Sequence, residues 1–304
     1  MKVQVQTHPQ AGATPVPEVR SLAGDLSELV KARLTTLVLL TTLVGFCMGS
    51  SNGIRVGLLT WTLLGTTLLA CGAAALNQVF ERRLDALMLR TRNRPLPAGR
   101  LDPRVAALGG ALAGVGGIVL LAVAVNPLAA TVGAATLLSY LFVYTPLKTR
   151  ATVNTLVGAV PGALPPVIGW AAARGELGLA GWSLFLLQFF WQIPHFLAIA
   201  WLYRQDYARA GLRMMPVLDL TGAQTGRHAI AHAGALLPAS LLPVALGLTS
   251  GVYGVGAFVA GAAFLWLTLR FARERTDVQA RQLFLGSVIY LPVVLGLMVF
   301  TRIP

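Results

Sequence analysis

This sequence contains little charge for its length. Charged residues make up 12% of 304 residues, whereas hydrophobic residues make up 56%. Soluble globular domains carry about 25% charged residues, so the composition excludes an ordinary soluble domain. A mean hydropathy of +0.70 agrees with that exclusion. The composition therefore indicates a membrane protein.

Cysteine is scarce, and no export or import signal is recognisable at the N-terminus. Cys47 and Cys71 lie inside apolar runs, where we expect packing residues and no structural disulfide. Residues 1–24 are polar, contain three prolines, and lack both a signal-peptide core and an Arg/Ser-rich transit pattern. We predict that residues 1–24 form a disordered cytosolic lead and that residues 25–304 form one transmembrane domain.

Long apolar runs account for most of the remaining chain. Because they are continuously apolar and do not alternate, they exclude a β-barrel and predict helices that cross the bilayer. The predicted fold is all-α: a polytopic bundle of nine transmembrane helices with a central cavity open to the cytoplasmic side. The predicted spans are about 32–50, 56–80, 105–125, 128–146, 153–173, 181–203, 229–249, 252–271 and 282–301.

Basic residues are divided unequally between the two ends of these spans. Of 24 Lys and Arg, only Arg55, Arg174 and Arg302 fall on one side, which leaves 21 on the other. The positive-inside rule therefore places the N-terminus in the cytoplasm and the C-terminus outside. Topology and attraction to anionic lipid explain most of the net charge of +13. They do not explain carboxylates embedded among the arginines.

Three polar residues form a stripe at the end of the second span, in NQVFERRLDALMLRTRNRPLPAGR. Asn77, Glu81 and Asp85 are spaced i, i+4, i+8, so they lie on one helix face over roughly 12 Å. One Mg²⁺ with oxygen ligands near 2.1 Å cannot reach all three. The stripe suits a metal–diphosphate–metal assembly. The alternative is that Glu81 and Asp85 only pair with nearby arginines.

The loop after this stripe is basic and is stiffened by Pro95 and Pro97. Guanidinium groups bind phosphate oxygens bidentately and remain charged, as a diphosphate site requires. Lipid headgroup binding is the alternative for each arginine, and we favour it for Arg100 and Arg104. The loop arginines are Arg90, Arg92, Arg94 and Arg100.

A second polar cluster ends the fourth span, in YTPLKTRATVN. Lys148 lies in a tight reversal on the same side as the first stripe and is a candidate phosphate ligand. Arg150 and Asn154 follow it at the interface. Tyr144 is a candidate as well, although a tyrosine at a membrane boundary commonly serves as an anchor.

A third cluster ends the sixth span, in WLYRQDYARAGLRMMPV. Asp206 lies on the same side as Glu81 and Asp85, which makes it a candidate metal ligand. It is flanked by Arg204 and Arg209, so a local ion pair is the alternative.

The sixth span also contains polar groups deep in the bilayer. Gln188, Gln192 and His195 follow i, i+4, i+7 and share one helix face. Ionisable groups at such depth generally face a cavity or a partner helix, so His195 contacts either a ligand or a neighbouring helix. Prolines in PGALPPVIGW (residues 161–170) are expected to kink the fifth span. Broken helices at this depth are tolerated where they line an interior cavity.

These features together predict an apolar cavity whose mouth binds Mg²⁺ and a diphosphate. An isoprenyl diphosphate is the ligand with that combination of head and body. Cations at the mouth would stabilise the departing diphosphate, so the allylic C–O bond can ionise. A dry interior would let the carbocation meet an acceptor before water does. The residues therefore predict prenyl transfer and leave the acceptor open.

The nine spans with NxxxExxxD after the second resemble the UbiA superfamily of intramembrane prenyltransferases. Within it, the chain is similar to the branch that transfers a farnesyl group to heme b. The stretches that carry this resemblance are LVKARLTTLVLLTTLVGF, LNQVFERRLDALMLRTRNRPLPAGR, VYTPLKTRATVN, GALPPVIGW and WQIPHFLAIAWLYRQDYARAGLRMMPV.

The resemblance implies that farnesyl diphosphate and heme b, as substrates, are joined at a porphyrin vinyl group to give heme O, with Mg²⁺ as cofactor. It implies a catalytic role for Lys148 and contact of His195 with heme. Asp206 corresponds to a second acidic motif that has paired aspartates in quinone-directed relatives. The implied metal ligands are Asn77, Glu81, Asp85 and Asp206. It implies that Arg90, Arg94, Lys148 and Arg150 lie around the diphosphate and that His195 binds substrate. Tyr144, Asn154 and Gln192 are further candidate substrate-binding residues because of their positions in the sequence.

Because residues 1–24 lack a transit pattern, we expect a bacterial cytoplasmic membrane, with a mitochondrial inner membrane as the alternative. The resemblance implies heme A synthase or oxidase assembly proteins as further partners and no nucleic acid. Three alternatives remain at this point. The chain could prenylate an aromatic acid in quinone biosynthesis, carry anionic amphiphiles without chemistry, or act as a structural assembly factor for an oxidase.

Overall fold

The computed structural model describes residues 21–51 and 53–303. Across those ranges the chain is helical apart from turns and one isolated β-bridge between Thr249 and Arg302. The described part contains nine helical segments long and apolar enough to cross a membrane. The predicted all-α fold with nine spans is therefore confirmed.

The helices are numbered here in chain order. They are α1 (Leu22–Leu29), α2 (Ala32–Gly49), α3 (Val56–Asp85), α4 (Pro103–Ala124), α5 (Pro127–Leu138), α6 (Thr145–Leu147), α7 (Asn154–Ala163), α8 (Pro165–Arg174), α9 (Leu179–Leu202), α10 (Arg204–Arg209), α11 (Met215–Leu218), α12 (Ala223–Ala245), α13 (Gly251–Glu274) and α14 (Asp277–Phe300). A π-helical turn, Ser139–Tyr144, joins α5 to α6 as one span, and α7 with α8 forms another.

Three spans differ from prediction at ends that are polar. The second continues past residue 80 to Asp85, so Glu81 and Asp85 lie on α3 itself. The seventh begins earlier than residue 229, because Gly222 (φ 70°) starts α12 there, and it ends at Ala245. The ninth begins at Asp277, where the Thr276 hydroxyl accepts from the Gln279 amide. Polar turns at these ends, one of them capped by Thr276, extend the helices beyond the region that hydropathy detects.

The predicted lead over residues 1–24 extends three residues too far. Ser21 caps α1 by accepting from the Gly24 amide at 3.2 Å, so Leu22 is already helical. Asp25 then binds Arg100 through bonds of 2.9–3.0 Å, which corrects the expectation that Arg100 binds lipid headgroups. The disorder predicted for residues 1–20 lies outside the described residues.

Glycines allow very close approach of two helix pairs. A Cβ at Gly169 of α8 would lie 1.9 Å from the Thr42 carbonyl oxygen of α2. A Cβ at Gly117 of α4 would lie 2.6 Å from the Leu69 amide nitrogen of α3. Small residues at such crossings are typical of membrane bundles, because backbones pack directly. These contacts fix α2 and α3, which carry residues of the site.

A cavity of about 440 Å³ lies within the bundle and receives side chains from α2, α3, α5, α7, α8 and α9. Two buried apolar clusters contribute to its wall, for example through Leu69 and Ile168 in one and Trp191 in the other. Pro161 and Pro165, at the α7–α8 break, line it. The prediction that this proline segment lines an interior cavity is therefore confirmed.

Candidate functional site

The stripe on α3 lies at one end of the cavity, which we call the mouth: the part lined by Lys31, Glu81, Asp85, Arg90, Arg94 and Lys148. Glu81 and Asp85 line it, whereas Asn77 is fully buried just behind. The Asn77 amide group donates to Thr145 Oγ1 at 3.2 Å. Its carbonyl oxygen accepts from Lys31 Nζ at 2.8 Å.

Glu81 is paired with the candidate phosphate ligand of the second cluster. Lys148 Nζ lies 2.6 Å from Glu81 Oε1, and it lies 4.6 Å from the centre of the Tyr144 ring. Burial favours the neutral amine of Lys148, but Tyr144 and Glu81 outweigh burial and raise its pKa above the usual range. Lys148 is therefore a persistent cation beside the stripe.

Asp85 is paired with the loop that follows α3. Arg94 Nη1 lies 2.8 Å from Asp85 Oδ2, and the Asp85 side chain is only 2% exposed. The Thr91 hydroxyl donates to the Asp85 carbonyl at 2.9 Å, so the loop folds back over the helix end. The local pairing of carboxylates with arginines, which the sequence left as an alternative, is thus present for Asp85.

Arg90 reaches the mouth from the same loop and lies among aromatic rings. Its guanidinium carbon is 5.0 Å from the Tyr203 ring centre and 5.9 Å from that of Tyr207. Burial raises the pKa of the Tyr207 phenol, so this group stays neutral as a hydrogen-bonding partner. Stacking of this kind holds the guanidinium in place without neutralising it.

The mouth contains four basic side chains and only two carboxylates. Such an excess in a poorly solvated place favours a polyanion. The described residues contain no cluster of three His, Cys, Asp or Glu able to hold a metal alone. Mg²⁺, however, commonly binds through one or two carboxylates plus substrate phosphates. The carboxylates of Glu81 and Asp85, which line the mouth, therefore fit Mg²⁺ held together with a diphosphate. Asn77 Oδ1 is buried and accepts from Lys31, so its role as a metal ligand stays a prediction.

The cavity beyond the mouth is mostly apolar. Its walls include Leu37, Val38, Leu69, Ile168 and Phe196. Its volume lies within the range of pockets for one drug-sized ligand. A cationic mouth above an apolar chamber is complementary to an amphiphile with an anionic head and a hydrocarbon body.

The sequence model of the UbiA prenyltransferase family matches residues 38–292. The chain belongs to this family. It is a prenyltransferase and a multi-pass membrane protein. It is 47% identical to a protoheme IX farnesyltransferase from Solibacter usitatus over 91% of this chain and 98% of that one. It is 46% identical to a protoheme IX farnesyltransferase from Salinibacter ruber over 90% of this chain and 97% of that one.

The fold of the UbiA prenyltransferase family recurs in a solved structure. A UbiA homolog from Archaeoglobus fulgidus, bound to DMAPP and Mg²⁺, superimposes with a TM-score of 0.66 at 16% identity. The alignment covers 90% of this chain and 99% of that one. The predicted UbiA-type helical bundle is confirmed.

Among the UbiA-family residues predicted from sequence, Asp206 has a different environment from the α3 stripe. Its two carboxylate oxygens accept from the Leu89 and Arg90 amides, each at 3.2 Å, and from Arg209 Nη1 at 2.6 Å. The described cavity lining does not include it. In this structure Asp206 holds the basic loop in place, and its role as a metal ligand stays a prediction.

Four further candidates are divided between the surface, a buried junction of two loops and the cavity wall. Arg150 is exposed and Asn154 is fully buried; neither appears in the described lining. The Asn154 amide donates to the Ala151 and Arg213 carbonyls, at 2.6 and 2.9 Å, and so joins two loops. Gln192 and His195 line the cavity as their shared helix face predicts. Gln192 and His195 are thus cavity-lining residues, Asn154 holds two loops together, and Arg150 lies at the surface.

Lys31 is a residue of the mouth that the sequence analysis did not single out. It precedes α2 with φ 48°, a left-handed conformation that turns the chain from α1 into the membrane. Burial, with Lys148 and Arg94 nearby, lowers the pKa of Lys31 to about 7. A lysine just ahead of a first span is a common topology signal, so its position does not distinguish a site residue from an ordinary interfacial lysine.

Proposed function

We propose that this protein transfers the farnesyl group of farnesyl diphosphate to a vinyl group of heme b, giving heme O and diphosphate. Its relatives at 46–47% identity, which it matches over nearly their whole length, are protoheme IX farnesyltransferases. The structural observation that carries the proposal is the cationic mouth with two carboxylates above an apolar chamber.

Each mouth residue has a role in this proposal. Lys31, Arg90, Arg94 and Lys148 bind the diphosphate oxygens, and so stabilise the charge that develops as the C–O bond breaks. Asn77, Glu81 and Asp85 would hold Mg²⁺, which supplies further neutralisation of the leaving group when bound. Mg²⁺ accompanied DMAPP in the Archaeoglobus homolog of the same fold, which supports this assignment. Asp206 stays a proposed fourth ligand.

The apolar chamber serves the second half of the reaction. It holds the farnesyl chain and limits water around the allylic cation. Carbon 1 of the farnesyl group then bonds to the terminal vinyl carbon of heme b. One water molecule adds its oxygen to the inner vinyl carbon and loses a proton, which gives the hydroxyethylfarnesyl side chain. We retain Tyr144, Arg150, Asn154, Gln192 and His195 as substrate-binding predictions.

We place the protein in a bacterial cytoplasmic membrane, with the mouth and the N-terminus on the cytoplasmic side. Arg and Lys cluster on that side of the predicted spans, as the positive-inside rule requires. Farnesyl diphosphate is anionic and water-soluble at its head, so a cytoplasmic mouth gives it direct access. Transfer of heme O to heme A synthase or to oxidase assembly proteins is part of the proposal.

Heme analysis of cells tests this function. Bacterial cells that overproduce the wild-type chain should accumulate a porphyrin with the mass of heme O, identified by chromatography and mass spectrometry. Cells with equal amounts of Asp85→Asn in their membranes should not. A new prenylated benzoate or naphthoate, without heme O, would instead identify the aromatic-acid alternative. If no diphosphate is released with either acceptor, the carrier alternative is favoured.

A further inference from the structure

His195 lies in the apolar part of the cavity and is held by a neighbouring helix. Its Nδ1 lies 2.6 Å from Ser287 Oγ, which joins α9 to α14. The same serine is fixed through its backbone, because Trp191 Nε1 donates to the Ser287 carbonyl at 2.9 Å. The imidazole also stacks on the Trp191 ring, with centres 5.0 Å apart. Its orientation is therefore determined by contacts on more than one side.

The contacts of Ser287 fix the tautomer of His195. Ser287 Oγ lies 2.5 Å from the Phe284 carbonyl oxygen. Two oxygens at that separation need a hydrogen between them, and only the serine hydroxyl can supply it, since a carbonyl only accepts. The short contact between Ser287 Oγ and His195 Nδ1 therefore takes its hydrogen from the imidazole. His195 carries its proton on Nδ1, and Nε2 has a free lone pair.

The lone pair of Nε2 is available to a ligand in the cavity. Within residues 21–51 and 53–303 no hydrogen bond involves Nε2. Nε2 is also not one of the fully buried polar atoms without a partner, so it is accessible from the cavity. His195 lines the cavity together with Trp191 and Phe196. An imidazole that donates through Nδ1 to a fixed acceptor and presents Nε2 to a cavity is the arrangement of a metal-binding histidine.

His195 is about 10 Å along α9 from its end at Leu202, as seven residues at 1.5 Å imply. It therefore lies deeper than the mouth. A porphyrin bound at this depth through its iron can direct one edge toward the mouth, where farnesyl carbon 1 is released. The aromatic rings around His195 provide flat apolar surfaces that suit a macrocycle.

We propose that His195 Nε2 is an axial ligand of the heme iron and that Ser287 is the positioning residue that sets its tautomer and angle. The inference rests on the proposed function and adds the contact that orients the acceptor. The bond is a coordinate one, in which Nε2 gives its lone pair to iron with no change in oxidation state. Fixing the iron restricts rotation of the porphyrin and selects the vinyl group that faces the mouth.

Spectroscopy of bound heme b, without farnesyl diphosphate, tests the proposal independently of turnover. The full-length protein in nanodiscs is loaded with heme b, and optical and resonance Raman spectra are recorded in the ferric and ferrous forms. The wild type should show an iron–imidazole stretching band. His195→Ala should lose it, and added imidazole should restore it. His195→Met, which preserves the packed volume, should replace the nitrogen signature by that of a thioether.

Two further variants define what is specific to this site. His232→Ala is the matched control, because His232 is a half-buried histidine on α12, bonded to the His228 carbonyl and not part of the described lining. It should leave the spectrum unchanged. Ser287→Ala should keep the histidine ligand but lower the stretching frequency and weaken heme affinity about 10–100-fold, as loss of a partner behind a metal ligand does.

The outcomes separate this inference from the proposed function. Heme O formation by the wild type, with bound-heme spectra identical in wild type, His195→Ala and His195→Met, would overturn the iron contact and leave the function intact. Failure of the wild type to bind heme b or to make heme O would overturn both. Loss of the imidazole signature in both His195 variants, with His232→Ala unchanged, supports the proposal.

Discussion

Lys31 Nζ donates a 2.8 Å hydrogen bond to Asn77 Oδ1 and so joins the start of the first span to the second. Glu81 is bonded in the same way to Lys148, and Asp85 to Arg94. Each residue of the α3 stripe thus has a cation from a different segment as its partner. In the proposed reaction the basic partners would bind the phosphate oxygens and the three stripe residues would hold Mg²⁺.

Lys31→Met should weaken binding of farnesyl diphosphate. It removes a charge-assisted contact worth about 1.5–3 kcal/mol, so KM should rise roughly 10–100-fold. Steady-state kinetics of diphosphate release measures the change. Lys31→Arg should retain part of the affinity. Arg33→Met, two residues away and exposed, is the matched control and should be neutral. An equal rise in KM for both Met variants would show that Lys31 acts only through the general positive charge of the surface and makes no specific contact with the diphosphate.

Asp85→Asn should abolish turnover while the protein stays folded in the membrane. The substitution keeps shape and burial but removes the charge that would bind the metal, and activity should fall by at least about 100-fold. Glu176→Gln removes an exposed carboxylate elsewhere and serves as control. Thermal unfolding in detergent and Mg²⁺ titration of activity are the measurements. Full activity of Asp85→Asn at ordinary Mg²⁺ concentrations would contradict the proposed metal site.

Asp206→Asn distinguishes a loop-holding carboxylate from a metal ligand. Because both oxygens of Asp206 accept from the loop or from Arg209, the variant should increase hydrogen exchange at the Leu89 and Arg90 amides. A purely loop-holding role predicts that activity falls with the Mg²⁺ dependence unchanged. A large increase in the Mg²⁺ concentration needed for half-maximal rate, with normal exchange at those amides, would instead assign Asp206 to the metal.

Gly117→Ala should destabilise the bundle. The new methyl group would lie 2.6 Å from the Leu69 amide nitrogen, so α3 and α4 must separate, at a cost of about 1–3 kcal/mol. Gly116→Ala is the control on the same helix, because no atom of the described chain lies within 4 Å of a Cβ there. Thermal unfolding in one detergent should show a lower Tm for Gly117→Ala only.

The fold was largely predictable because hydropathy and helix length are local properties. The nine spans, the α3 stripe and the cavity-facing side of α9 all follow from the period of a helix. Lys148 and Arg94 were expected near the mouth because they fall on the same side of the membrane as the α3 stripe. Each of these inferences required only sequence spacing or the count of crossings.

The remaining features depend on contacts between distant segments. The bond between Lys31 and Asn77 spans 46 residues, and it depends on a left-handed turn that no sequence pattern marks. Asp206 was recognisable as a lone acid among arginines, but its bonds to the Leu89 and Arg90 amides require the folded loop. Ser287 lies 92 residues from His195 and reads as an ordinary small residue of a span.

The most direct test is a reaction with purified protein in nanodiscs, farnesyl diphosphate, Mg²⁺ and heme b, followed by mass spectrometry and diphosphate quantification. We expect a porphyrin with the mass of heme b plus one farnesyl group and one water-derived hydroxyl, formed in equal amount to diphosphate and absent with Asp85→Asn. Heme b recovered unchanged by wild-type protein that is folded and binds both substrates would contradict the account.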